Sequence, residues 1–394
     1  MGIERKTRTM EMMGTREKKK VEWDRPIYLQ VRAEDKSCLW FVIEDGRRPR
    51  EQGSEENDDD DDKVIFHGLD LPQLDYLPLP NSLVVLNSRL YMIGGRKYTG
   101  RRGSVQYSFG YDHVDLSEQA SKQQWRFEKD EWTLYSTGSV ACSDDGLVYT
   151  LAPRRCYRFR FDPRSGGDVR SEFPSEFPIE LGVAPHLVSI SNKYIYAYSK
   201  GARSNTLVRF DLEKKEWECL YRNFWGRLAP GVVLYGDSYL VCFGTKKPTC
   251  SSLFSQQPGL YMFDIRQSQW LDQPVKGLDD ALPVIPEGFE EDRVYNYFLP
   301  LLFQIGTQRF ALVWGDYLEN VGCEIHCHKF TFDYTPSGGS DGTTEKNHPP
   351  TSFVARRLSN GVLIQQDGTL LGCTVGIESS AQEKGKIHGS STLV

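Results

Sequence analysis

An aromatic or leucine residue followed by aspartate recurs along the chain at intervals close to 50 residues, and this period constrains the fold more than any other property of the sequence. The segments run from Tyr107 to Asp112, Tyr157 to Asp162, Leu207 to Asp211, Tyr261 to Asp264 and Lys329 to Asp333, with a looser match from Val64 to Asp70. Their aspartates, at 70, 112, 162, 211, 264 and 333, stand 42, 50, 49, 53 and 69 residues apart. Self-similarity at a period of roughly 20–50 residues marks a repeat architecture, in which each copy is one supersecondary unit stacked on the next.

The intervals share a local pattern. Two short apolar runs flank a tight polar turn at Leu83–Leu86 and Leu90–Ile93, Ser139–Cys142 and Leu147–Tyr149, His186–Ile190 and Tyr194–Tyr196, and Val232–Leu234 and Tyr239–Phe243. Runs rich in Val, Ile, Tyr and Phe, split by Gly, Asn, Asp or Ser, predict β-hairpins. Trp217 and Trp270 each stand six residues beyond a repeated aspartate. The predicted unit is therefore four strands: a hairpin, a third strand closed by the aspartate and a fourth opened by the tryptophan. An aspartate there accepts hydrogen bonds from the backbone two residues on, which is a scaffold task and not a catalytic one.

Four-stranded units of this length, stacked about an axis, give a single all-β domain of the β-propeller type. Six repeated aspartates predict six blades. The strands of Phe353–Thr374 either complete the first blade or begin a seventh. The propeller is expected over 24–376, with a basic disordered N-terminus at 1–23, an acidic disordered loop at 51–63, a flexible loop at 336–350 and a disordered tail at 377–394.

Composition narrows the setting. Of the 394 residues 39% are hydrophobic, too many for a wholly disordered chain, and no apolar run reaches the roughly 20 residues of a membrane helix. The first 20 residues carry seven Lys and Arg without an apolar core, so no secretory signal is expected. Nine cysteines, an odd number, and no Asn-X-Ser/Thr site fit reduced thiols in the cytoplasm or nucleus, with Lys18-Lys19-Lys20 as a candidate nuclear address.

Tyr91-Met-Ile-Gly94-Gly95, then Tyr107 to Tyr111, then Trp125 resemble the kelch family, whose repeat carries a double glycine after the second strand and spaced aromatics later. The double glycine stands in one unit; elsewhere the position holds Ala152-Pro153, Ser199-Lys200, Gly244-Thr245 and Gly315-Asp316. The likeness is to plant kelch proteins with degenerate repeats, relatives of the F-box/kelch adaptors, although the N-terminus is too short and charged to hold an F-box. It implies a non-enzymatic adaptor that recruits or scaffolds a protein partner. Some similar plant kelch proteins use iron to steer a reaction, with Glu, Asp and His spaced four apart, so an iron- or copper-using lyase or oxidase is the alternative. This chain offers Asn320, Glu324 and His328 at that spacing.

Other reactive patterns dissolve on inspection. Gly95 to Arg102 has P-loop spacing, but Arg stands where Lys and Ser/Thr belong and no helix is expected to follow. Cys323-Glu-Ile-His326-Cys327-His328 looks like a metal cluster. On a strand its cysteines point one way and Glu324, His326 and His328 the other, and these cannot close a tetrahedral site. No cofactor is expected.

Charge gives the candidate binding surface. In a four-stranded unit the second-to-third connections emerge on one side. Those of units two to five carry Arg96, Lys97, Arg101 and Arg102; Arg154 and Arg155; Lys200 and Arg203; Lys246 and Lys247; and no acid. A basic mouth in a chain of net charge -6 predicts capture of an acidic protein or peptide by a monomer. The overall charge disfavours nucleic acid. The acidic block Glu55–Asp62, between Phe41–Glu44 and Val64–Phe66, is expected to be the second-to-third connection of the first unit, folded over the basic mouth as an internal competitor.

Overall fold

The computed structural model describes residues 24–32, 37–45, 63–73, 83–93, 96–99, 104–107, 110–118, 122–129, 140–142, 147–152, 155–160, 169–172, 185–191, 193–200, 205–222, 232–244, 259–271, 273–278, 281–283, 300–318, 322–335, 352–365 and 369–377. They form 26 strands. In chain order these are β1 (Ile27–Arg32), β2 (Cys38–Asp45), β3 (Val64–Leu69), β4 (Leu83–Leu86), β5 (Arg89–Ile93), β6 (Arg96–Thr99), β7 (Ser104–Tyr107), β8 (Gly110–Asp115) and β9 (Arg126–Lys129). Next come β10 (Val140–Cys142), β11 (Leu147–Ala152), β12 (Arg155–Arg160), β13 (Val169–Glu172), β14 (Pro185–Ile190), β15 (Tyr194–Lys200), β16 (Asn205–Asp211) and β17 (Glu216–Arg222). The last are β18 (Val232–Tyr235), β19 (Tyr239–Gly244), β20 (Gly259–Asp264), β21 (Gln269–Trp270), β22 (Leu301–Gly306), β23 (Arg309–Leu318), β24 (Gly322–Thr335), β25 (Ser352–Gln365) and β26 (Thr369–Ile377).

The fold is all-β, built from antiparallel four-stranded units of propeller type. Unit 1 is β26-β1-β2-β3 and unit 2 β4-β5-β8-β9, the two joined through β26 and β4 into one eight-stranded sheet; unit 3 is β10 to β13, unit 4 β14 to β17, unit 5 β18 to β21 and unit 6 β22 to β25, and β6 and β7 form a separate hairpin inserted in unit 2. Unit 1 joins the two ends of the sequence. β26 pairs antiparallel with β1, Ile27 opposite Val375 and Leu29 opposite Cys373, and parallel with β4 through Gly376–Val85 and Ile377–Leu86. The first strands β4, β10, β14, β18, β22 and β26 each touch the next, and β26 touches β4.

The hairpin turns show why these residues pair. Asn87 and Ser88 both take positive φ, 51° and 60°, the twist that a two-residue turn between β4 and β5 requires. Gly236 supplies φ 55° between β18 and β19. Apolar clusters fill the spaces between neighbouring sheets. One packs Trp40 of unit 1 with Leu83, Val85, Leu90, Met92 and Val114 of unit 2. Others join units 4 and 5, 5 and 6, and 6 and 1.

Outer edges are also stitched. Beyond β21 the chain donates Leu271 N to Met262 O and Val275 N to Leu260 O, then Lys276 N to Phe353 O, and accepts Ala355 N at Lys276 O. This segment thus lies between the sheets of units 5 and 6. Gly277, at φ +87°, leaves no room for a side chain, since a Cβ would stand 2.4 Å from Ala355 O.

Register corrects several expectations. The repeated aspartate closes the third strand in units 4 and 5: Asp211 Oδ1 accepts Glu213 N and Lys214 N at 2.9 and 3.0 Å, and Asp264 Oδ1 accepts Arg266 N and Gln267 N at 2.8 and 2.9 Å. In unit 2 that task belongs to Asp115, which lies opposite Arg89 as Asp211 lies opposite Tyr194 and accepts Ser117 N. Asp112 sits inside β8, opposite Met92. Asp70 follows a fourth strand, β3, because unit 1 takes its first strand from β26. In unit 6 the corresponding residue is Thr331, opposite Arg309, and Asp333 is exposed two residues beyond. Asp162 lies outside the described residues.

The acidic block is corrected too. Residues 46–62 lie outside the described residues, but β2 and β3 on either side of them are the third and fourth strands of unit 1. Antiparallel alternation puts a third-to-fourth connection on the side opposite the second-to-third connections. The block therefore leaves the sheet away from the basic mouth, and the competitor role assigned to it loses its basis.

Candidate functional site

The strands position two rims. One, here the upper rim, receives the second-to-third connections and the fourth-to-first connections between units; the other receives the turns between first and second and between third and fourth strands. Of the ten basic residues, Arg96 and Lys97 open β6, Arg155 opens β12 and Lys200 ends β15. Arg101, Arg102, Arg154, Arg203, Lys246 and Lys247 lie outside the described residues. Their connections all run from a second to a third strand: 94–109, 153–154, 201–204 and 245–258.

The topology adds partners that the charge pattern of units 2 to 5 alone does not show. Second-to-third connections of units 1 and 6 also reach the upper rim, carrying Glu34 and Asp35 in one and Glu319 in the other. The connection from unit 5 to unit 6, residues 271–300, carries Asp272, Asp279, Asp280, Glu287, Glu290, Glu291 and Asp292 against Lys276 and Arg293. The rim is thus divided by charge. By sequence, the second-to-third connections of units 2 to 5 are basic, and those of units 6 and 1, with the passage into unit 6, are acidic; the acidic residues themselves lie outside the described residues.

In unit 6, β23 and β24 build a ring stack. Trp314 lies opposite His326, with ring centroids 4.8 Å apart and planes 8° apart, and His328 stacks on the same indole at 4.9 Å and 14°. Glu324 Oε2 stands 3.6 Å from His326 Nε2. Burial pushes the His326 imidazole below its usual value, while the Glu324 and Asp316 carboxylates pull it up. Trp314 and His328 are buried, 4% and 7% exposed, so the stack is not an open platform for a ligand.

Cys323 and Cys327 face unit 1 within an apolar cluster, away from the histidines, as strand alternation requires. Among the described residues no group of three His, Cys, Asp or Glu side chains is placed to hold a metal ion. Asn320 lies outside the described residues, and Gly94 and Gly95, which carry the kelch resemblance, do too.

Comparison with known protein families and with curated proteins finds no match. Among solved structures, the chain is similar to TolB from Acinetobacter baumannii at 12% identity and TM-score 0.40, over 88% of this chain and 67% of that one. It is also similar to a chain of the nidogen/laminin complex at 9% identity and TM-score 0.42, over 89% of this chain and 98% of that one. The fold assignment rests on strand order and register, not on these likenesses.

Proposed function

We propose that the protein is a single six-bladed, kelch-like propeller, a non-enzymatic interaction module of the cytoplasm or nucleus that binds an acidic protein or peptide on the basic arc of its upper rim. The ring reading is supported by the unbroken succession of first-strand contacts from β4 to β26 and back to β4. The observation that carries the binding reading is the common origin of ten basic residues, with no acid among them, in four equivalent connections. A partner with both an acidic and a basic segment fits the divided rim better than a uniformly acidic one, because units 6 and 1 would repel the latter. A substrate-recruiting role is the implication of the kelch likeness.

The test is fluorescence anisotropy with a labelled glutamate-rich peptide at low and physiological salt. Wild type should bind, more weakly as salt rises, and Arg101→Glu with Lys246→Glu should lose about tenfold or more. Lys214→Glu with Lys215→Glu, between β16 and β17 on the other rim, should bind as wild type. Equal affinity for both double variants would overturn the reading.

A further inference from the structure

Unit 1 is made from both chain ends, and its seam with unit 2 buries three polar groups that do no repeated scaffold work. Asp112 is opposite Met92 on β5, and Met92, Leu90 and Val114 pack with Trp40 in the seam. Gln30 is opposite Trp40. Opposed residues of an antiparallel pair project to the same face, so Asp112, Gln30 and Trp40 all lie on the faces that the two halves of the eight-stranded sheet turn towards each other. They are 5%, 0% and 2% exposed. Asp112 Oδ2, the Gln30 amide atoms and Trp40 Nε1 are buried without a conventional hydrogen bond; the Gln30 side chain meets the Cys38 thiol, which burial pushes up and the Gln30 contact pulls down.

A carboxyl in such a place is tolerated best as the neutral acid, since an ion would be stripped of water with nothing to replace it. Burial alone pushes Asp112 up to about 7. From unit 1 the titratable groups on the facing side are Tyr28 and His67, both opposite Val42, Arg32 and Cys38, opposite each other, and Glu44, two residues beyond Val42. Glu44 and His67 stand 3.9 Å from each other, and neither they nor Arg32 enter the causes of the Asp112 shift. Unit 2 contributes the apolar Leu83, Val85, Leu90, Met92 and Val114; Lys129 of β9, opposite Gly110, has its register position on the Asp112 face and does not enter the causes of the shift.

We propose that the seam between units 1 and 2 is a proton-operated latch, closed while the Asp112 carboxyl is neutral and loosened when it ionises. The joint is suited to this, because β26 and β4 are paired over two residues only. The folded value lies above the ordinary 3.8, so the native state holds a proton that the unfolded chain has lost. The latch's contribution to stability is full below about pH 4, declines as pH rises towards about 7 and is absent above it.

Thermal unfolding from pH 4 to 8.5 should show a wild-type midpoint several degrees lower at pH 8 than at pH 5, with most of that fall missing in Asp112→Asn. Amide exchange in the wild type, corrected for intrinsic rate, should show β1, β2 and β8 losing protection between pH 6 and 8 while β18 to β20 do not. Superimposable pH profiles for the two proteins, or equal changes in both sets of strands, would overturn the latch.

Discussion

Unit 1 has two seams, and they differ in the charge that stands beside a buried carboxyl. Against unit 6, Asp24 places Oδ1 2.9 Å from Arg309 Nη1 and Oδ2 3.7 Å from Lys329 Nζ, with the Asp24 and Lys329 side chains 3% and 1% exposed. Arg25 N donates to Ile305 O next to them, and Lys63 bridges to Asn360. Against unit 2, Asp112, Gln30 and Trp40 are buried as well; Asp24 and Asp112 both leave carboxylate oxygen without a well-formed hydrogen bond, and the seams differ in that two cations face Asp24 whereas burial alone acts on Asp112. A buried ion costs several kcal/mol of lost hydration, and only a well-placed counter-charge offsets it. The first seam is therefore committed to one arrangement, whereas the second can exchange a proton to change its fit. Unit 1 is thus fixed against unit 6 and adjustable against unit 2.

The largest expected effect lies in the seam with unit 6. Asp24→Ala leaves Lys329 charged and enclosed, and removing one member of a buried pair costs about 3–5 kcal/mol. Chemical unfolding should show that loss, and Asp24→Leu with Lys329→Met should recover most of it, because two apolar groups need no mutual charge. If the single variant unfolds like wild type, the ion pair does not hold the seam and the contrast between the seams fails.

A smaller loss is expected at Gly361, where β25 lies against β3. A Cβ there would stand 2.7 Å from Val64 O and 2.9 Å from Val64 Cβ, so Gly361→Ala must push the outer strands of units 6 and 1 apart. The strain should cost about 1–3 kcal/mol, the usual range for overpacking, measurable as a lower denaturant midpoint. The same substitution at Gly68 of β3, which meets nothing within 4 Å, should cost less than about 1 kcal/mol.

The sequence made the hairpins legible because a turn and its two strands are neighbours: Leu83 to Ile93 and Val232 to Phe243 are read correctly from alternation and turn residues. The closing strand was half legible: of the two roles open to Phe353–Thr374, completing the first unit is the one β26 takes, while β25 belongs to unit 6. β26 meets β1 across more than 300 positions of chain, and no local pattern says that Thr369–Ile377 rather than Ile27–Arg32 is the first strand of unit 1. From that one shift follow the reassignment of Asp70 and the reversal of the acidic block. Asp112 was misread for a related reason. Tyr111-Asp112 and Val114-Asp115 both look like strand ends, and only the partner across the strand, Met92 or Arg89, separates a buried carboxyl from a turn cap. The acidic charge of the passage from unit 5 to unit 6 was not weighed because the fourth-to-first connections were not assigned a side.

The smallest predicted effect separates the repeated aspartates themselves. Asp264 is 4% exposed and accepts two backbone N–H groups in the turn before β21, while Ile265 N reaches back to Ser238 O at 2.8 Å. Asp264→Ala removes the acceptor for both donors and should cost about 1–2 kcal/mol, as loss of a comparable cap does. Asp333 matches the same sequence pattern, yet its carboxylate is exposed and 3.8 Å from an equally exposed Arg356, a pair worth little in water. Asp333→Ala should shift the unfolding midpoint by no more than a few tenths of a kcal/mol in equivalent free energy. A loss at Asp333 equal to that at Asp264 would mean that the aromatic-aspartate pattern, and not the cross-strand register, identifies the turn cap. The reassignment of Asp112 as a free seam carboxyl would then lose its main support.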